Sequence, residues 1–136
     1  MHTKVTWLKK DAINFEASND FGHRVLIDSE QKLGAKPMEL MLMGLGGCAS
    51  YDVVSILQKS RQAITDVVCH VSAKRADSIP AVFTDIHLQF VVTGSNVKAS
   101  QVAKAVELSA QKYCSASKML ADGGVNITHD YQIIER

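Results

Sequence analysis

The chain has 136 residues, 46% of them apolar, enough for one domain with its own core. Fifteen basic residues against fourteen acidic ones leave a net charge of +1, which favours neither nucleic acid nor an anionic membrane surface as a partner. The N-terminus, MHTKVTWLKKDAINF, has no apolar run of the kind a secretory leader needs, and three cysteines in such a chain point to a reducing, cytoplasmic setting.

Residues 3–9 (TKVTWLK) alternate weakly, residues 13–18 (INFEAS) place Ile13 and Phe15 on one side, and residues 23–28 (HRVLID) are rich in branched side chains. The turn signal Asp20-Phe21-Gly22 precedes the third stretch, so the first 28 residues read as an antiparallel meander of three strands. Ser29–Lys36 is polar and reads as a loop. From Pro37 to Ser60 runs the longest apolar segment, read as a helix that starts on Pro37 with Glu39 in its first turn. It is apolar nearly all round, which predicts burial in a protein interior; Asp52 interrupts the run and argues against a membrane span. Gly44, Gly46 and Gly47 surround Cys48. Each costs about 1 kcal/mol inside a helix, so the cluster implies close approach of another backbone, a break in the helix, or a substrate.

Residues 66–76 alternate, with Val67, Cys69, Val71 and Ala73 on one face. Residues 85–93 alternate more cleanly, with Ile86, Leu88, Phe90 and Val92 on one face. The link around Asp77-Ser78-Ile79-Pro80 suits a hairpin. Thr93–Asn96 reads as a turn in which Ser95 or Asn96 caps a second helix, 98–113, whose stripe is Ala99, Val102, Ala103, Val106, Ala110 and Tyr113. A break at Tyr113-Cys114-Ser115 leads to a short third helix, Ser117–Ala121, stopped by Gly123-Gly124, and residues 125–134 form a last strand. The order β-β-β-α-β-β-α-α-β, with clustered strands, predicts a single α+β domain over 1–136 with antiparallel pairing.

Cys69 sits between Val67 and Val71 and reads as a small buried hydrophobe. Cys48 lies among small residues, and free N–H groups at a helix break there would favour a thiolate. Cys114 sits where a helix ends. Two such thiols can form a redox pair: one attacks a peroxide and becomes a sulfenic acid, and the other resolves it to a disulfide. The five histidines show no i, i+4 pair and no convergence with a cysteine, so no metal site is expected. Asp52, one turn after Cys48, could orient a polar group, but its charge would oppose thiolate formation.

The segment Pro37-Met38-Glu39-Leu40 through Gly46-Gly47-Cys48, followed by Lys112-Tyr113-Cys114, resembles the OsmC/Ohr family of thiol-dependent hydroperoxide reductases and osmotically inducible relatives, and within it the small YhfA-like branch. The resemblance covers essentially the whole chain. It implies antiparallel sheets around two central helices in an intertwined homodimer. It implies Cys48 as peroxidatic and Cys114 as resolving cysteine, organic hydroperoxides as substrates, and a dithiol such as a lipoylated protein as reductant, with no metal, haem or flavin. The acid of the P-x-E-L segment is Glu39; the position of the Ohr branch's catalytic glutamate is occupied by Met38. Arg24, the one arginine of the first three strands, is the candidate partner of the thiolate, and Ser115 stands where the family usually has proline.

Nine residues separate Glu39 from Cys48, about 13 Å along a continuous helix and on opposite faces. Glu39 therefore acts on a partner's site or through a broken helix, and the expected site is assembled at a dimer interface. Two other functions fit the same chain: a module holding a small hydrophobic ligand beside Met41, Met43 and Leu45, and a redox sensor switched by a Cys48–Cys114 disulfide.

Overall fold

The computed structural model describes residues 1–8 and 11–136. Contacts divide the chain into two units, Met1–Leu42 and Met43–Arg136. The element order matches the sequence reading: β1 (Thr3–Trp7), β2 (Asn14–Asn19), β3 (Arg24–Asp28), α1 (Pro37–Lys59), β4 (Ala63–Arg75), β5 (Phe83–Ser95), α2 (Ala99–Leu108), α3 (Ser115–Asp122) and β6 (Asn126–Glu135). Lys9, placed at the end of the first strand by its sequence, lies outside the described residues. The class is α+β, with two three-stranded sheets.

In the first unit β1, β2 and β3 form the expected antiparallel meander. Asp28 closes it. Its carboxylate accepts the backbone N–H groups of Glu30 at 2.9 Å and Leu33 at 3.1 Å, shaping the loop that leads into α1. These bonds favour the charged form and hold the carboxyl below its ordinary range. A depressed folded value means the contribution is present above the unfolded pKa of about 3.9 and lost as pH falls through the folded value. Asp28→Asn is therefore expected to flatten the acid limb of stability measured by denaturant titration below about pH 4. An unaltered acid limb would remove Asp28 from that account.

In the second unit β5 is central, flanked by β4 and β6. Phe83, Ile86, Leu88, Phe90 and Val92 line one face of β5 and are buried; with Val102, Ala105 and Val106 of α2 and Leu45, Ala49, Val53 and Leu57 of α1 they make the core. Each Phe, Ile, Leu and Val among them contributes about 1.5–3 kcal/mol of burial. β4 and β5 pair as an antiparallel hairpin, but β6 runs parallel to β5, against the antiparallel expectation. The cause is the connection: α2 and α3 carry the chain back over the sheet, and a crossover returns a strand in the direction in which it left.

α1 is long and apolar enough, by length and composition, to cross a membrane. Its stripe of Leu45, Ala49, Val53 and Leu57 is instead buried in the second unit's core. Gly46 supplies the close approach: a Cβ there would lie 3.0 Å from Cγ2 of Val71 on β4. Gly44 and Gly47 meet nothing within 4 Å, so the opposite face of the helix is open. α2 starts without a side-chain cap; its N-cap is Lys98, and Asn96 instead donates its N–H to the Glu135 carboxylate.

Candidate active site at a cysteine pair

α1 carries Cys48, half-buried, in a helix that runs unbroken from Pro37 to Lys59. Of the three readings of the glycine cluster, close approach holds at Gly46 and a break does not occur, so no free N–H groups arise there. α2 ends differently. Its last turn widens into a π-helical turn, Ser109–Tyr113, closed by the Cys114 N–H donating to the Ser109 carbonyl at 2.9 Å. Such turns are rare and recur at functional sites. Cys114 then leaves the helical conformation (φ −78°, ψ 104°) and becomes the N-cap of α3, its sulfur accepting the Ser117 N–H at 3.4 Å.

The structure brings Cys48 and Cys114 together: Cys48 stands close enough to the Cys114 thiol to act on its ionisation directly. Both are free. Cys114 is 3% exposed. Burial pushes its thiol up, the N–H and nearby hydroxyl of Ser117 pull it down by less, and Cys48 pushes it up again. The resting Cys114 is therefore a thiol, and Cys48 is the more exposed of the two.

Ser109 escapes a reading of the sequence. Its buried hydroxyl donates to Asp52 Oδ2 at 3.0 Å and lies 3.3 Å from the carbonyl oxygen of Ala49, while its own carbonyl holds the Cys114 N–H. One serine thus ties the Cys114 turn to the stretch of α1 just after Cys48. A signal was present: Ser109 continues the buried row Val102, Ala105, Val106, and a polar group on such a row needs a partner. Asp52 is half-buried and holds this clip rather than standing free beside the sulfur.

Arg24 and Glu39 belong to the first unit. Arg24 is exposed on β3, its Nε 3.7 Å from Glu16. Glu39 Oε1 accepts the Lys36 N–H at 3.0 Å and the Gln31 side-chain amide at 2.9 Å. With Pro37 as the first helical residue, Glu39 is the third and reaches back to the N-cap N–H, as in half of a capping box. No hydrogen bond or ion pair joins Arg24 to Glu39 among the described residues. Cys69 is half-buried on β4 beside Ser50, its thiol pushed up by burial. Met43 is exposed and Leu45 fully buried, so the two do not line one cavity. The open face of α1 carries instead a groove of about 360 Å³ lined by Gly47, Ser50, Tyr51, Val54, Ser55 and Gln58. Among the described residues no three His, Cys, Asp or Glu side chains converge on a metal position.

The model of the OsmC-like protein family matches residues 29–130. The chain is 43% identical over 135 residues, 98% of both chains, to Protein YhfA of Escherichia coli K12. Among solved structures it is similar to a hypothetical protein from Aquifex aeolicus VF5 (27% identity, 99% of this chain and 96% of that one, TM-score 0.87). It also shares its fold with the organic hydroperoxide resistance protein OhrB of Bacillus subtilis (18% identity, 97% and 98% covered, TM-score 0.62).

Proposed function

The chain belongs to the OsmC-like family, and on that premise we propose that it is a dithiol peroxidase for organic hydroperoxides. The observation that carries the reading is the approach of Cys48 and Cys114. Cys48, as thiolate, attacks the distal oxygen of the hydroperoxide. The O–O bond breaks, the alkoxide leaves and takes a proton as alcohol, and Cys48 becomes a sulfenic acid, oxidised by two electrons. Cys114 attacks the Cys48 sulfur; the S–S bond forms, the S–O bond breaks, and the leaving hydroxide takes the Cys114 proton to become water. A dithiol of the lipoyl class then reduces the disulfide by exchange and closes to its own disulfide. The cycle needs no metal, haem or flavin.

Arg24 and Glu39 complete the proposal as the charged groups acting on the thiolate. The loose hold of Glu16 leaves the Arg24 guanidinium available. Glu39 is occupied at the start of α1, so its contribution is the smaller. The protein acts as a homodimer, with the open face of α1 against a second copy and the site at the interface. The exposure of Met43 and Tyr51 and the bare flanks of Gly44 and Gly47 support this.

Peptide mapping after one equivalent of an organic hydroperoxide tests the chemistry. Wild type is expected to give a Cys48–Cys114 disulfide, Cys114→Ser a sulfenic acid trapped at Cys48, and Cys48→Ser neither product. Two inert thiols would sink the peroxidase and leave ligand binding on the same fold as the reading to pursue.

A further inference from the structure

One buried polar group next to the cysteine pair is unaccounted for. Ser117 is 4% exposed, and its hydroxyl oxygen, shut off from solvent, has no hydrogen-bond partner. Buried hydroxyls are almost always bonded, so an orphan calls for a reason. Its surroundings supply one. The Ser117 backbone N–H already donates to the Cys114 sulfur, and its hydroxyl lies beside the same atom without a formed bond. A thiol is a weak acceptor; a thiolate is a strong one. The partner that the hydroxyl lacks at rest appears when Cys114 loses its proton.

We propose that the Ser117 hydroxyl is a further catalytic group of the resolving step, donating a hydrogen bond to the Cys114 sulfur as it turns into a thiolate and attacks the Cys48 sulfenic acid. The proposal rests on the dithiol reading above. In that step the Cys114–Cys48 S–S bond forms, the Cys48 S–O bond breaks, and the proton from Cys114 leaves with hydroxide as water. Ser117 keeps its own proton throughout. A bond absent in the ground state and made on the way to the disulfide lowers the barrier without stabilising the resting enzyme.

The neighbouring charges leave room for this role. Cys48 faces the sulfur from α1 and opposes its ionisation. Asp52, further along α1, is bonded to Ser109. Lys112 lies over the Tyr113 ring and Lys118 pairs with Asp122 at 2.8 Å, so neither lysine is spent on the thiolate. On β6, which packs against α3, His129 and Tyr131 are exposed. Ser117 supplies both its N–H and its hydroxyl to the one atom that must carry the charge.

The test follows disulfide formation after rapid mixing with tert-butyl hydroperoxide, by acid quench and mass analysis, in wild type, Ser117→Ala and Ser117→Thr across a range of pH. Dimedone traps any sulfenic acid that persists, and thermal melting reports the fold. Ser117→Ala is expected to slow disulfide formation about tenfold, the order of one hydrogen bond to a charged acceptor. It should also raise the pH midpoint of that step, let dimedone capture Cys48, and melt no lower than wild type, since the resting hydroxyl bonds nothing. Ser117→Thr should restore rate and midpoint. Equal rates and midpoints in Ser117→Ala and wild type overturn the proposal, as does a slower rate that only tracks a lower melting temperature. A wild type that forms no disulfide defeats the dithiol reading and this proposal together, and is told apart by the wild-type trace alone.

Discussion

Phe90→Ala is expected to destabilise the protein by about 3–5 kcal/mol, the range for emptying a fully buried aromatic site. Phe90 is 1% exposed at the middle of β5, opposite Cys69 on β4 and Tyr131 on β6. No strand of the second unit lies more than one neighbour away from it, and β5 alone is paired on both edges, so a cavity there cannot be closed by moving an edge strand. Urea denaturation reads the effect as a lower midpoint at unchanged slope. Phe21, 87% exposed in the first unit, provides the control: Phe21→Ala is expected within about 0.5 kcal/mol of wild type. A loss at Phe90 no larger than at Phe21 would show that the inner row of β5 is not the core.

Tyr51→Lys is expected to convert the proposed dimer to monomer. Tyr51 is 75% exposed on the open face of α1, beside Gly47, where nothing lies within 4 Å of a Cβ. Small residues flanking a large aromatic suit close helix approach, and tyrosine is a frequent anchor of such contacts. An ammonium placed there without a counter-charge is expected to weaken association by about 3–5 kcal/mol, a few hundredfold or more. Sedimentation equilibrium at micromolar protein measures it, with Tyr51→Phe retaining the wild-type constant. If Tyr51→Lys associates as tightly as wild type, the copies meet elsewhere, and a site shared across α1 goes with it.

Much of this architecture is legible in local pattern, and the exceptions have one cause. Alternation at Ile86, Leu88, Phe90 and Val92 marks the inner row of β5, and the break at Tyr113–Ser115 marks the helix end, because each depends on near neighbours in the chain. The parallel pairing of β6, the π-helical turn before Cys114 and the approach of Cys48 to Cys114 depend on residues far apart in sequence. Ser109 keeps the helical spacing of its buried row, but its partner Asp52 lies 57 residues earlier, so the link between them is hidden from local pattern. Glu39 shows the converse. Its position two residues after Pro37 is itself a capping signal, and that local role is visible beside the catalytic one implied by resemblance.

The parallel pairing of β6 has a consequence for how the chain reaches its native state. Every β5–β6 partner is 41 residues from its mate, as with His87 and Thr128, and the intervening segment contains Cys114. The β4–β5 hairpin closes a short loop and can form early, while β6 must wait until the whole crossover is in place.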